Sequence, residues 1–356
     1  MKILFSIILL SALTVPLLAQ QKAKSFAVSG RPAPVGYLEY LPPGYESSEK
    51  KFPVMIFLHG SGESGDGTPQ QLERVTAWGP PALIRYGHDM CFTVDGVKEC
   101  FMVFSPQIFT DIYGWPYFVT ALIDHILSGP DHYKADPDRI YLTGLSAGGK
   151  GVYEYAAGVT NRMNHLAAIA PIAARVNDSY EGCEISRRKI PVWAFHGRLD
   201  TVIPYSFGLN AFKQIEQCTT PVPTAELIFT TYEDRYHDSW IPAYDTTNAY
   251  HSPNLYQWLL RQRRYQLDVT SVEEEKRKAV SMQQNPIVGD KAFLEYADGN
   301  TQKGPITIWS VTGAKIIDLP EGTSEINTTS WKSGVYILQM VDASGVVTTE
   351  RLVKTD

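Results

Sequence analysis

Residues 139–151 read RIYLTGLSAGGKG. There, a short β-prone apolar run, Ile140 to Leu142, leads through Gly144-Leu145-Ser146-Ala147-Gly148 into a stretch with helical spacing (Val152, Tyr153, Tyr155, Ala156). A strand that enters a helix through G-x-S-x-G must turn sharply. The serine then sits at the apex in strained φ/ψ, and only small residues fit on either side. Such strain costs roughly 1–3 kcal/mol and persists where function holds it. Three fixed positions in five also recur by chance in Gly-rich strand-to-helix connections. The strand before and the helix after favour the strained elbow, which demands a sheet of buried strands around it.

The chain supplies such strands. Val35 to Leu41 alternates as an edge strand does and ends in the turn at Pro42-Pro43-Gly44. Pro53 to Leu58, Phe101 to Phe104, Leu166 to Ile172 and Val192 to Phe195 are continuous apolar runs, the mark of strands buried on both faces. Helical spacing appears over Phe118 to Leu127 and Phe207 to Ile215, and Leu227 to Tyr232 adds a strand. Ser252, as N-cap before Pro253, is expected to start a last helix with a stripe of Leu255, Trp258 and Leu259. Buried strands alternating with helices predict an α/β protein with a doubly wound, mostly parallel sheet over residues 20–266.

The character then changes. Glu273 to Lys278 is charged at every position, as in a solvated linker, assigned to residues 267–284. From 285 to 356, short β-prone runs (Ile306 to Trp309, Val335 to Met340, Val346 to Thr349) are separated by Asp298-Gly299, Thr312-Gly313, Ser333-Gly334 and Ser344-Gly345. This predicts a small C-terminal antiparallel β-sandwich. At the other end, Met1-Lys2 and the apolar run to Leu18 read as a signal peptide, residues 1–19, with an uncleaved anchor as the alternative. Export would place the chain outside the cell or at its surface, where the four cysteines would pair. Cys91 and Cys100 flank a hairpin-like segment with Asp95-Gly96 as its turn, which leaves Cys183 with Cys218. Three connectivities exist in principle, and buried free thiols are the alternative.

A net charge of -6 with no basic cluster argues against nucleic acid as a partner. No H-E-x-x-H, C-x-x-C or G-x-x-x-x-G-K-[ST] pattern is present, so metal, redox and nucleotide chemistry lack support and no cofactor is expected. In an open α/β sheet the ligand crevice lies at the carboxyl ends of the strands. Ser146, Asp200 and His237 all follow such ends, in the order serine, acid, histidine. A serine hydroxyl becomes nucleophilic when an imidazole takes its proton and a carboxylate holds that imidazole in one tautomer. The oxyanion needs backbone N–H donors, each commonly worth about 2.7–4 kcal/mol. Ala147 is one candidate, and Ser61 or Gly62 in the loop after Leu58 is another. Trp115 and Trp240 are assigned as substrate contacts. His251 competes with His237, and Asp234 and Asp238 compete with Asp200. His59 and His196 precede glycines at strand ends, where a structural role fits.

Several segments together resemble the secreted esterase branch of the α/β-hydrolases that also holds feruloyl and acetyl xylan esterases, often labelled predicted peptidases. They are YLPPGY (40–45), FLHGSGE (57–63), Pro106-Gln107, DPDRIYLTGLSAGG (136–149), PVWAFHG (191–197) with Asp200, and HDSW (237–240). The resemblance implies Ser146 as nucleophile, Asp200 as acid and His237 as base, acting on acetyl or hydroxycinnamoyl esters of plant polysaccharide. A prolyl-oligopeptidase-like serine peptidase and a non-catalytic binding protein on a hydrolase scaffold are the alternatives. The Cys91 to Cys100 segment looks like an insertion that would crowd the pocket. Asn285-Pro286, Gly334 to Leu338 and Arg351 to Lys354 resemble the sorting domain of type IX secretion, implying outer-membrane secretion machinery as a partner; a carbohydrate-binding module is the rival.

Overall fold

The structure, a computed structural model, describes residues 21–28, 31, 33–109, 114–158, 165–177, 180–264, 280–282, 287–296, 305–310, 315–341 and 347–355. The apolar leader, Asn285-Pro286 and the charged run 273–278 lie outside the described residues. The chain divides into two units, Met1–Tyr265 and Gln266–Asp356.

The first unit holds an eight-stranded sheet in the order β1 (Lys22–Phe26), β2 (Val35–Tyr40), β6 (Met102–Pro106), β3 (Phe52–Leu58), β7 (Ala135–Leu145), β8 (Leu166–Ile172), β9 (Val192–Gly197) and β10 (Leu227–Tyr232). Strands β6 to β10 run parallel, and β2 is antiparallel to both β1 and β6. This is the mostly parallel α/β sheet that the sequence predicts. The edge place expected for residues 35–41 belongs to β1, and β2 is buried at every position.

Strand alternation divides the apolar residues between two faces. Val54, Ile56, Ile140, Leu142, Val192 and Ala194 pack into one cluster; Met55, Phe57, Tyr141, Trp193 and Phe195 pack into the other. The first face is covered by α3 (Gly114–Ser128), α4 (Ala147–Ala157), α5 (Gly182–Arg187) and α6 (Tyr205–Glu216). The second lies under α1 (Pro69–Leu72), α2 (Gly79–Arg85), α7 (Trp240–Ala243) and α8 (Leu255–Arg261). Helix α8 starts later than expected: Asn254 is its N-cap, accepting from Gln257 N at 3.0 Å while Gln257 Oε1 accepts from Asn254 N at 3.2 Å.

Both disulfides form as expected, Cys91 to Cys100 and Cys183 to Cys218. The first closes a hairpin of β4 (Cys91–Val94) and β5 (Val97–Cys100). That hairpin leads into the amino end of β6, and Phe92 stacks on Tyr256 of α8 with ring centroids 4.5 Å apart. It therefore sits opposite the carboxyl-end crevice and does not crowd the pocket.

Among its described residues the second unit has two small sheets. One pairs β11 (Val280–Met282), β13 (Lys291–Tyr296) and β16 (Glu325–Asn327). The other runs β12 (Ile287–Val288), β18 (Val347–Thr355), β17 (Gly334–Val341), β14 (Ile306–Ser310) and β15 (Lys315–Leu319). Pairing is antiparallel except between β12 and β18. Among the described residues, β11 (Val280–Met282) falls inside the expected linker. Ile306, Ile308, Leu338, Met340 and Leu352 form one core. Trp331 is buried against Tyr336, so it is a core residue and no platform for a sugar.

Candidate active site

Ser146 stands between β7 and α4 with φ 53° and ψ -115°, a conformation L residues seldom adopt. Its N–H donates to Ile172 O at 2.9 Å, and its carbonyl accepts from Lys150 N at 3.0 Å. A β-carbon on Gly148 would lie 2.0 Å from Leu58 O, and one on Gly144 would lie 2.7 Å from the same atom. The elbow thus presses against the end of β3, and both glycines are required by that approach.

Two later loops bring the other side chains to the serine. His237 Nε2 is 3.0 Å from Ser146 Oγ, and His237 Nδ1 is 2.7 Å from Asp200 Oδ2. The Asp200 carboxylate is fully buried; its Oδ1 accepts from the backbone N–H groups of Val202 at 2.9 Å and Ile203 at 2.8 Å. His196 Nε2 donates to Ile203 O at 2.9 Å and lies 3.4 Å from Asp200 Oδ2. Burial lowers the His196 pKa, which keeps that ring neutral beside the carboxylate. With both oxygens hydrogen-bonded, the carboxylate is fixed in position and can hold the His237 ring in the tautomer whose Nε2 faces the serine.

The rivals are elsewhere. Asp234 is exposed and Asp238 faces Arg235 at 3.5 Å, while His251 is bonded to Tyr232 and packs on Trp193. His59 Nδ1 donates to Gly60 O at 2.6 Å and its Nε2 accepts from Ile108 N at 3.2 Å. Burial lowers its pKa to about 4, so it is a neutral brace for the loop after β3.

A cavity of about 340 Å³ opens beside the serine, lined by Ser61, Ser146, Ala147, Lys150, Arg175, Val202, Ile203, Pro204 and Phe207. Ala147 is the first residue of α4, where a backbone N–H has no acceptor within the helix. Ser61 opens the short 3-10 turn Ser61–Glu63; Gly62 shares that turn without lining the cavity. Gln107, just past β6, ties this loop down by donating to Glu63 O (2.7 Å) and Gln71 O (2.8 Å) and accepting from Gly67 N (3.1 Å).

Neither tryptophan expected at the substrate lines the cavity. Trp115 is 3% exposed, edge-on to His59 at 5.0 Å, and a β-carbon at Gly151 would strike it at 2.3 Å. It packs beneath the site because α3 and α4 cross there. Trp240 lies edge-on to the His237 ring at 5.2 Å and shields that ring's flank. The lining residues Lys150, Arg175, Val202, Ile203, Pro204 and Phe207 were not among the expected contacts. Only Lys150 carried a readable signal, standing four residues after Ser146 on the same helical face.

No family model matches the chain. Among curated proteins, acyl-protein thioesterase 1 of Candida albicans is 23% identical over 200 residues, covering 52% of this chain and 85% of that protein. A bifunctional acetylxylan esterase/xylanase of Neocallimastix patriciarum is 26% identical over 160 residues, covering 43% of this chain. The chain spans only 20% of that bifunctional protein. Among solved structures, a thermostable esterase aligns with a TM-score of 0.49 and 26% identity, over 69% of this chain and 64% of that one. Esterase 2 of Thermogutta terrifontis aligns with a TM-score of 0.43 and 14% identity, over 63% and 86%.

Proposed function

We propose that this carboxylic ester hydrolase removes acetyl or hydroxycinnamoyl groups from plant polysaccharides, with Ser146 as nucleophile, His237 as base and Asp200 as the acid behind it. The observation that carries the reading is the unbroken hydrogen-bonded chain from Ser146 Oγ through the His237 ring to Asp200, at 3.0 and 2.7 Å, beside an open cavity. Ser146 Oγ attacks the ester carbonyl as its proton passes to His237 Nε2. Asp200 stays ionised and stabilises the imidazolium. The N–H of Ala147 and one from the turn at Ser61 and Gly62 receive the oxyanion. The imidazolium returns its proton to the departing alcohol, and water then opens the acyl-enzyme by the same route.

Val202, Ile203, Pro204 and Phe207 offer an apolar wall to the acyl group. The similarity to an acetylxylan esterase/xylanase supports a polysaccharide ester. The two disulfides support an oxidising compartment, hence a secreted or surface location, with the C-terminal unit as the sorting domain for export.

Hydrolysis of p-nitrophenyl acetate, methyl ferulate, acetylated xylan and a proline-containing peptide amide, each with and without Ser146→Ala, tests the assignment. Ester turnover is expected, falling about 10⁴-fold or more in the variant. Peptide cleavage without ester turnover would select a peptidase instead, and rates untouched by the substitution would remove the serine mechanism.

A further inference from the structure

The cavity beside Ser146 has two unlike sides. Val202, Ile203 and Pro204 come from the stretch joining β9 to α6, and Phe207 from the first turn of α6; Lys150 on α4 and Arg175 in the loop after β8 belong to other elements. The two cations are not equivalent. Lys150 Nζ lies 2.6 Å from Glu154 Oε1, which also accepts from Asn177 Nδ2 at 2.7 Å, so that charge is answered in place. Arg175 is exposed and has no hydrogen-bond or ion-pair partner among the described residues. An exposed arginine is ordinarily just solvated. This one shares a cavity with a serine that a histidine activates, in a chain whose net charge is -6.

We infer that the ester substrate carries a carboxylate, received by the Arg175 guanidinium at the cavity mouth while its carbonyl lies over Ser146. The inference rests on the serine esterase reading above and narrows its substrate class. A guanidinium presents N–H donors in a planar fork that matches a carboxylate, and the contact is charge-assisted. Lys150, lining the same cavity, adds positive potential that Glu154 reduces. The carboxylate belongs either to the alcohol half, as in an acylated uronic acid, which keeps the acetyl or hydroxycinnamoyl group, or to the acyl half, as in a monoester of a dicarboxylic acid, which would take that group's place.

Two matched pairs distinguish these sources: mono-p-nitrophenyl adipate against p-nitrophenyl hexanoate, and acetylated glucuronic acid against acetylated glucose. At low ionic strength the parent protein is expected to favour the charged member of one pair by about tenfold in kcat/KM, and added salt should shrink that ratio. Arg175→Gln should bring the ratio to about one or below, and Arg175→Lys should restore part of it. A parent with no preference for the charged member in either pair, or a preference that Arg175→Gln leaves intact, overturns the inference. Hydrolysis of none of the four esters, neutral ones included, tells instead against the esterase reading itself.

Discussion

A β-carbon at Gly197 would lie 2.3 Å from the carbonyl oxygen of Tyr236, so the loop bearing Asp200 and the loop bearing His237 meet where no side chain fits. Two backbone bonds seal the contact, Arg198 N to Tyr232 O at 2.8 Å and Leu199 N to Arg235 O at 3.0 Å. Gly197→Ala must push the loops apart and stretch the 2.7 Å bond between Asp200 and His237. A misplacement near 1 Å costs on the order of 10²-fold, so kcat/KM should fall by about that much while circular dichroism stays native. Unchanged kinetics would mean that the loops tolerate separation.

Replacing Asp200 by Asn keeps an acceptor for the Val202 and Ile203 N–H groups but turns an amide N–H toward His237 Nδ1. The imidazole then favours the wrong tautomer, and kcat should drop about 10⁴-fold. Asp234→Asn and Asp238→Asn, whose side chains lie off the His237 ring, should stay within a few-fold of the parent. Steady-state rates on p-nitrophenyl acetate for all three variants decide the acid.

These relationships were only partly legible in the sequence. Runs such as Leu166 to Ile172 announce themselves because a strand covered on both faces is apolar throughout, and the elbow is legible because a carbonyl within 2.0 Å of a would-be β-carbon permits only glycine at position 148. Strand β1 escaped because its residues, Lys22 to Phe26, are mostly exposed and carry no apolar alternation. The start of α8 was misread because Ser252-Pro253 and Asn254 with Gln257 are both competent N-terminal signals, and only the reciprocal hydrogen bonds select the second. Trp115 and Trp240 show the limit for aromatic residues: the neighbours a ring packs on, α4 at Gly151 for Trp115 and the His237 and Trp78 rings for Trp240, decide whether it lines the cavity.

Stability should depend on pH through the buried histidines. His59 is held near a pKa of about 4 against 6.5 for an unhindered ring, so between those values the unfolded chain binds a proton that the folded one refuses. Folding free energy is then undiminished above pH 6.5 and falls as pH drops toward 4, by about 3 kcal/mol from this group. His196, also lowered by burial, acts in the same direction. Urea denaturation from pH 7 to pH 4 should show that loss, and His59→Gln, though less stable at pH 7, should show a shallower slope. A parallel slope in the variant would assign the acid sensitivity to other groups.

The two disulfides should not contribute equally. Cys91 and Cys100 are 9 residues apart, whereas Cys183 and Cys218 are 35 apart and join α5 to the end of α6. Loop-closure entropy gives about 2.5 kcal/mol for the shorter ring and about 4 kcal/mol for the longer. Paired Cys→Ser variants, unfolded in urea, should therefore rank in that order. The reverse ranking would show that native contacts, such as Phe92 on Tyr256, outweigh chain entropy.

The Asp95-Gly96 tip offers an attachment point. It projects from a ring closed by a covalent bond, is clamped to Arg261 through Asp95 at 3.1 Å, and lies at the amino ends of the strands while the reaction cavity lies at their carboxyl ends. A dye, a surface tether or a grafted binding loop placed there would leave the cavity mouth open, so the protein can be immobilised with its serine facing the solution.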